Sequence, residues 1–241
     1  MYKEYPPNIL LSPYIETYWV SNDLIQGEET IRILPDGCVD ILFNWDSQHF
    51  VPQIIGTMTR YLDVTYINTI RMMGIRFRPC GISAFTRVPI DEFTNIKIDI
   101  SLFNTLFDTS FFEQLLAIEH EIEKIHYMDS YLVNLLKNTF SIDPQMVYAV
   151  KLIRETKGIQ TVSEVLNSIC LCQRQFERKF KATTGITPKM FSSIIRFANT
   201  QKVSRISTNE NLLSIALACG YYDHAHLIRE HKRFAGNLPI R

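Results

Sequence analysis

The chain has no apolar run of the roughly 18 residues that a transmembrane helix needs, and its N-terminus has no uninterrupted apolar stretch of signal-peptide type. Both absences predict a cytoplasmic protein without a membrane partner. The five cysteines form no C-x-x-C pair and lack a flanking His at ligand spacing, which favours buried free thiols. His49 is the only His in the β-rich region, so a metal-dependent barrel enzyme is not expected. We predict neither a metal nor a cofactor.

Net charge is also absent, but the zero total hides a strong asymmetry along the chain. Residues 1–144 contain 10 Lys and Arg against 19 Asp and Glu, and residues 145–241 contain 15 against 6. The two parts therefore carry formal charges of −9 and +9. Such asymmetry suggests that the C-terminal part meets a polyanion. The two parts could also attract each other.

Short apolar runs broken by Gly and Pro occupy residues 30–100. In "TIRILPDGCVDILFNW" two of these runs flank a Pro-Asp-Gly turn, which predicts a β-hairpin. Further strands are predicted in "FVPQIIGTM", "LDVTYINTIRMMGIRF" and "NIKIDI". Many short strands with such punctuation favour a sandwich or a barrel.

The hydrophobic period changes to that of a helix at about residue 102. Apolar residues recur at three- and four-residue steps in "FFEQLLAIEHEIEKIH", and "MDSYLVNLLKNTF" continues the pattern. We expect helices over about 102–140, either packed on the first domain or forming a homodimer face through 109–140. A boundary near residue 142 then separates a β-rich domain, 1–142, from an all-α domain, 143–241.

A dense basic segment, "QRQFERKFKATTGITP", begins at Gln173. On a helix, Phe176 and Phe180 share one side and the cations gather on the other. Gly185 is placed to end the helix as a left-handed cap. Taken alone, the segment fits either an anion-binding helix or an ordinary surface helix with a solvated basic face.

An internal repeat favours the first interpretation. A shift of 51 residues places the basic segment on "HAHLIREHKRFAGNLP", and a short apolar helix precedes each copy, in "TVSEVLNSI" and "LLSIALACG". A short helix, a tight turn and a second helix with a polar face indicate a helix-turn-helix unit. Residues 188–206 between the copies read as one connecting helix, about 27 Å long. Two reading helices could then enter successive major grooves of one duplex.

These pieces, "RQFERKFKATTGITPKMF", Arg196 and "IALACGYYDHAHLIREHKRFAG" followed by Pro239, resemble the DNA-binding domain of the AraC family of bacterial transcription regulators. The resemblance covers residues 143–241. It implies double-stranded DNA as the partner, with RNA polymerase as a further one. The base-reading residues that it implies are Gln173, Arg174, Glu177 and Arg178 in the first unit, and His224, Ala225, Ile228 and Arg229 in the second.

The side-chain chemistry agrees with these positions. Arg donates two hydrogen bonds to guanine, Gln suits adenine, Glu accepts from cytosine, and Ala and Ile can touch thymine methyls. The remaining cations are expected to face phosphates, or to be merely solvated: Lys179, Lys181, Lys189, Lys232 and Arg233. Four residues depart from the family pattern, and two of these, Leu166 and Thr200, stand where Ala is usual. His231 stands where an aromatic residue is usual, which predicts a buried, hydrogen-bonded His, and Cys172 stands where Ser commonly caps the first reading helix.

The front half resembles the N-terminal domain of a less characterised AraC-type subgroup, through "LSPYIETYWV", "ILPDGCVDILFNW" and "MGIRFRPCGI". The resemblance implies a regulatory domain with a cupin-like β-barrel but names no ligand, and a small-molecule effector is one candidate partner. Arg76 and Arg78 share one strand face and could bind an anionic ligand. The alternative is that they pair with local carboxylates such as Asp36 or Asp40.

We therefore expect a one-component transcription regulator rather than an enzyme. Two alternatives stay open. One is a DNA-targeted alkyl acceptor that uses Cys38 or Cys80, which would need an activated thiolate. The other is a regulator whose front half binds a protein partner instead of a small molecule.

Overall fold

A computed structural model describes residues 2–45, 50–100, 106–206 and 211–239. An antiparallel sheet fills the first part of the chain and helices fill the second, which confirms the predicted α+β organisation. His49 and the predicted helix start near 102 lie outside the described residues. The strands are β1 (Tyr2–Tyr5), β2 (Ile15–Ile33), β3 (Val39–Asn44), β4 (Val51–Ile55), β5 (Leu62–Phe77) and β6 (Lys97–Asp99).

The six strands form one sheet in the order β1-β2-β5-β3-β4-β6. The predicted hairpin across Pro35-Asp36-Gly37 is therefore wrong, because β2 and β3 lie on opposite sides of β5 and do not pair with each other. The end of β5 near Phe77 pairs with both of them, so a strand that is distant in sequence separates the two runs. The Pro-Asp-Gly turn instead connects Ile33, which lies opposite Leu62 at the start of β5, to Val39, which lies opposite Phe77 at its end.

The ribbon of β2 and β5 is strongly curled. Its ladder runs from Ile15 opposite Phe77 to Ile33 opposite Leu62, and 16 residues of β5 would span about 50 Å if straight. Val39 also pairs with Phe77, and the chain from Ile33 to Val39 reaches at most about 21 Å. The ribbon must therefore bend back towards its own start. This is the curvature that a barrel requires, although the pairings within the described residues do not join β1 to β6.

One face of the sheet carries the larger core. Alternate residues of β3 are buried, as the period of a strand predicts. Two helices, α1 (Thr109–Ala117) and α2 (Glu121–Leu135), pack their apolar sides on this face, where Phe111, Leu115 and Met128 join Phe43. The predicted helical region is confirmed, but it breaks between Ala117 and Glu121. Here the buried Lys124 ammonium donates to the carbonyls of Leu115 and Ile118 at the end of α1.

The C-terminal part consists of helices in the described residues. They are α3 (Pro144–Glu155), α4 (Val162–Asn167), α5 (Gln173–Thr184), α6 (Pro188–Ile206), α7 (Leu212–Ala218) and α8 (His224–Ala235). Asp143 caps α3 by accepting from the Gln145 N–H, and Pro144 occupies its first turn, as the sequence predicts. None of the helices in the described ranges combines the length and the apolar composition that a bilayer span requires.

The sheet domain and the helices share a buried boundary. Cys80 and Leu34, from the first part, belong to the same apolar cluster as Phe176, Phe180 and Phe191. This contact places the helices directly against the sheet domain. The predicted division at residue 142 falls immediately before the Asp143 cap of α3 and stays a prediction.

Candidate nucleic-acid interface

The two helix pairs, α4 with α5 and α7 with α8, repeat at an offset of 51 residues. Both second helices have 12 residues, and they begin at Gln173 and His224. Each ends at a glycine in the left-handed region, Gly185 at φ 87° and Gly236 at φ 74°, a conformation that a residue with a Cβ adopts at a cost. The predicted repeat is therefore confirmed as two structurally equivalent units.

Helix α5 separates an apolar face from a polar one. Phe176 and Phe180 are fully buried, with ring centroids 5.6 Å apart in an edge-to-face arrangement. All four residues predicted to read bases from α5 are exposed: Gln173, Arg174, Glu177 and Arg178. The amide of Gln173 donates to Glu177 Oε1 at 2.9 Å, which orients both side chains one turn apart. This face can offer guanidinium, amide and carboxylate groups to base edges.

Helix α8 has the same division with a less polar outer face. Leu227 and Phe234 are buried, whereas His224 and Arg229 are exposed. Two further predicted readers are half-buried, Ala225 and Ile228. Asp223 caps the helix by accepting from the His226 N–H at 2.6 Å. Arg229 is thus the only cation among the four residues predicted to read bases from this helix.

The predicted phosphate-binding cations fall into two groups. Lys189, Lys232 and Arg233 are exposed. Lys179 and Lys181 instead form ion pairs, with Asp143 at 2.8 Å and Asp91 at 3.2 Å. Their contact with phosphate stays a prediction, but these carboxylates would compete with it, and the ion pairs favour an interface in which neither lysine contacts the DNA.

Helix α6, residues 188–206 as predicted, connects the two units. Its Arg196 donates to Glu230 of α8 at 3.0 Å and to the carbonyl of Gly158 at 3.3 Å. The Arg196 guanidinium also lies over the Tyr221 ring, 5.0 Å from its centroid. Arg196 therefore holds α8 against the connecting helix through a largely buried ion pair. It does not face solvent, as a base-reading residue would.

Comparison with known proteins agrees with this geometry. Residues 166–241 match a family described as "Helix-turn-helix domain", of the AraC type, and residues 3–99 match the family "Domain of unknown function (DUF6597)". The C-terminal part of the chain is therefore similar to AraC-type helix-turn-helix domains. A relative, the HTH-type transcriptional regulator ArgR of Pseudomonas aeruginosa, is 27% identical over 106 residues, which are 43% of this chain and 32% of ArgR. The chain thus spans about a third of the length of ArgR.

Solved structures of ToxT from Vibrio cholerae are also similar. One, in a P21 crystal form, has a TM-score of 0.43 at 9% identity and covers 99% of this chain and 96% of its own. Another, from strain O395, has a TM-score of 0.39 at 12% identity, over 93% of this chain and 91% of its own.

The His231 that replaces an aromatic residue of the AraC-family pattern is satisfied, as predicted. It is buried, and its ring meets Phe197 edge to face with centroids 5.4 Å apart. Its Nδ1 lies 2.9 Å from the carbonyl oxygen of Asn237 and its Nε2 lies 2.7 Å from Gln201 Nε2. A neutral ring that donates from Nδ1 and accepts at Nε2 satisfies both contacts.

Arg76 and Arg78, the candidate ligand-binding residues, are both engaged by protein groups. Arg76 forms a bidentate pair with Asp40, at 3.0 and 3.2 Å, and lies 3.5 Å from Asp36. Arg78 donates to the carbonyl of Ser12 at 2.8 Å. A role for the two in ligand binding stays a prediction, but the pairing of Arg76 follows the alternative interpretation.

A charged cavity of about 510 Å³ lies beside Arg76, between the sheet and α3. Its walls include Glu16, and Arg154 of α3 donates to this carboxylate at 3.0 Å. The cavity thus lies where the sheet domain meets the helices.

Both thiols considered for alkyl transfer, Cys38 and Cys80, are buried. Burial, followed by the charges of Asp36 and Glu16, raises the pKa of Cys38 well above its usual value. Burial also raises the pKa of Cys80. A nucleophilic cysteine needs the opposite shift. Within the described residues, no group of three or more His, Cys, Asp and Glu side chains is arranged to bind a metal ion.

Proposed function

We propose that the protein is a transcription regulator of the bacterial cytoplasm that binds double-stranded DNA with α5 and α8 in successive major grooves. The observation that carries the proposal is the tandem of equivalent helices with exposed polar residues at two corresponding positions, Gln173 with His224 and Arg178 with Arg229. Gln173, Arg174, Glu177 and Arg178 would read one half of the site. His224, Ala225, Ile228 and Arg229 would read the other, and Lys189, Lys232 and Arg233 would contact phosphates.

A hydroxyl-radical footprint on selected DNA tests this function. Sites would first be enriched from random duplexes by the full-length protein. We expect two protected segments on one face of the duplex, with centres about one helical turn, or 10 to 10.5 bp, apart. A single protected segment, or enrichment of no sequence at all, would contradict reading by two helices.

We propose that the N-terminal domain modulates this binding through a small-molecule effector. Support comes from the charged cavity of about 510 Å³, which is within the size range of ligand sites. The alternative is a protein partner. A metabolite that raises the melting temperature of the full chain would support the first, because selective binding to the folded state stabilises it. Specific capture of a protein without any thermal shift would support the second.

Two further partners belong to the proposal. A homodimer would form through the helices of residues 109–140, where Leu116 of α1 and Ile122 of α2 are exposed at 46% and 55%. Sedimentation of the full chain against an Ile122→Glu variant tests it, and an unchanged mass would exclude this face. RNA polymerase is the expected partner at a promoter.

We propose no catalytic activity, because Cys38 and Cys80, the thiols considered for alkyl transfer, are both buried.

A further inference from the structure

The C-terminal ends of α5 and α8 receive hydrogen bonds from the N-terminal domain at corresponding positions. The hydroxyl of Thr57 donates to the carbonyl of Thr184 at 2.7 Å. The guanidinium of Arg32 donates to the carbonyl of Ala235 at 2.8 Å. Thr184 and Ala235 are equivalent under the 51-residue repeat, and each is the last residue of its helix. The N-terminal domain therefore donates to the same carbonyl in both units.

Such carbonyls need an external donor. The last four carbonyls of a helix have no partner within it. At the end of α5, the Thr94 hydroxyl also donates to the carbonyl of Gly185, at 2.5 Å. A Cβ on Gly185 would lie 2.9 Å from Thr57 Oγ1, which shows how closely the two parts approach. Since Thr57 is fully buried, this contact excludes water.

The donor for α8 is held rigidly. Arg32 forms a bidentate pair with Asp63, at 2.7 Å for both contacts. Its guanidinium also lies over the Tyr61 ring, 4.2 Å from the centroid. That ring packs against the end of α8, because a Cβ on Gly236 would lie 2.5 Å from Tyr61 Cε1. Nε and Nη2 of Arg32 bind Asp63, and its third nitrogen, Nη1, donates to the carbonyl of Ala235.

The loop of residues 56–61, between β4 and β5, contacts both helix ends. Thr57 touches the end of α5 and Tyr61 touches the end of α8, so at most about 14 Å of chain separates the two contact points. The loop is braced by Asn95, whose Oδ1 accepts from the Thr59 N–H at 2.8 Å. A short braced segment that contacts both helix ends restricts their separation and their mutual rotation.

We infer that Arg32, Thr57 and Thr94 are positioning residues for DNA recognition: they set the mutual orientation of α5 and α8. They touch no base, and they lie at the helix ends away from the N-terminal turns that the proposed function directs at base edges. Because this inference rests on that function, its test must separate a loss of orientation from a loss of reading.

The test compares two kinds of DNA, both taken from the footprinted site. The first kind keeps only the half that α5 reads. The second kind keeps both halves and is made in three forms: at the selected spacing, with one base pair added between the halves, and with one removed. One base pair rotates the second half by about 34 to 36°. Affinities of the full-length Thr57→Val/Thr94→Val and Arg32→Gln variants are measured by fluorescence anisotropy. Thr30→Val, which alters an exposed sheet threonine, is the matched control.

We expect wild type and the control to lose at least tenfold affinity for the altered spacings. The positioning variants should bind the two-half duplex at least fivefold more weakly at the selected spacing, and they should discriminate less between spacings. Their affinity for the single half should stay within twofold of wild type, which also shows that the first unit remains folded. Equal losses on both duplexes, unchanged spacing dependence, or tighter binding would overturn the inference. If wild type itself selects no sequence, the proposed function fails instead.

Discussion

Raising the salt concentration should weaken DNA binding. The size of this effect depends on whether Lys179 and Lys181 of α5 stay in their ion pairs or contact phosphates. Each phosphate neutralised by a cation contributes about −0.9 to the slope of log affinity against log salt. The exposed Lys189, Lys232 and Arg233 give a slope of about −2.7. If Lys179 and Lys181 left their carboxylates for the DNA, the slope would be about −4.5. We expect the first value, because Asp143 holds Lys179 and Asp91 of the N-terminal domain holds Lys181.

Anisotropy titrations between 50 and 200 mM salt separate these cases, since the losses are about 40-fold and about 500-fold respectively. Lys189→Ala should reduce the magnitude of the slope by about 0.9, whereas Lys181→Ala should leave it unchanged. A slope near zero would refute binding through the cationic faces. A slope near −4.5 that Lys181→Ala reduces would show that DNA displaces Asp91 and would refute the persistence of this ion pair.

Three further predictions concern the packing and the ionisable groups. Phe180→Ala, at a fully buried position, should lower the free energy of unfolding by about 3 to 5 kcal/mol in urea denaturation; a loss below about 1 kcal/mol would contradict the packing. Iodoacetamide should modify the exposed Cys170 and Cys172 of the native chain, and mass spectrometry should find the other three thiols protected until denaturation. Burial opposes ionisation of Glu16, but Arg154 and hydrogen bonds outweigh it and hold its pKa below the usual value. The pair should therefore stabilise the fold above about pH 4.3 and lose this effect as the pH falls further. The melting temperature of Glu16→Gln should then lie below that of wild type at pH 7 and approach it at pH 3; a constant difference would contradict the assignment.

The helices of the C-terminal domain were predictable because their signals are local. Apolar spacing, the Asp143 cap and the terminal Gly185 each act within a few residues, and α5 and α6 begin and end where the sequence predicts. The repeat added independent support, because two copies with the same pattern at a fixed offset are improbable as separate surface helices. The exposure of Arg178 and Arg229 follows from the same periodicity.

The strand pairing was not predictable in the same way. The run on each side of Pro35-Asp36-Gly37 has the composition of a strand, but no local feature indicates that β5, from Leu62 to Phe77, lies between them. The break between Ala117 and Glu121 brings the buried Lys124 ammonium to the carbonyls of Leu115 and Ile118, and the apolar spacing alone does not indicate this contact.

The contacts between the N-terminal domain and the C-terminal helices could not be predicted from the sequence either. Thr57 and Thr184 are 127 residues apart, and Arg32 and Ala235 are 203 apart. A threonine in a loop and an arginine in a strand carry no local signal of such a role. The sequence likewise predicts that Lys181 faces phosphate or solvent, whereas in the structure it pairs with Asp91.

Base preference of Arg174→Ala and Arg229→Ala variants tests the central claim most directly. Their affinities would be measured on the selected two-half duplex and on all single base-pair substitutions within it, with Arg71→Ala, an exposed arginine of the sheet, as control. Each variant should lose about 1 to 3 kcal/mol of binding and relax the preference at its own base pairs, one in each half. Uniform weakening across all sequences, or relaxation at the same base pairs in both variants, would contradict reading by two separate helices.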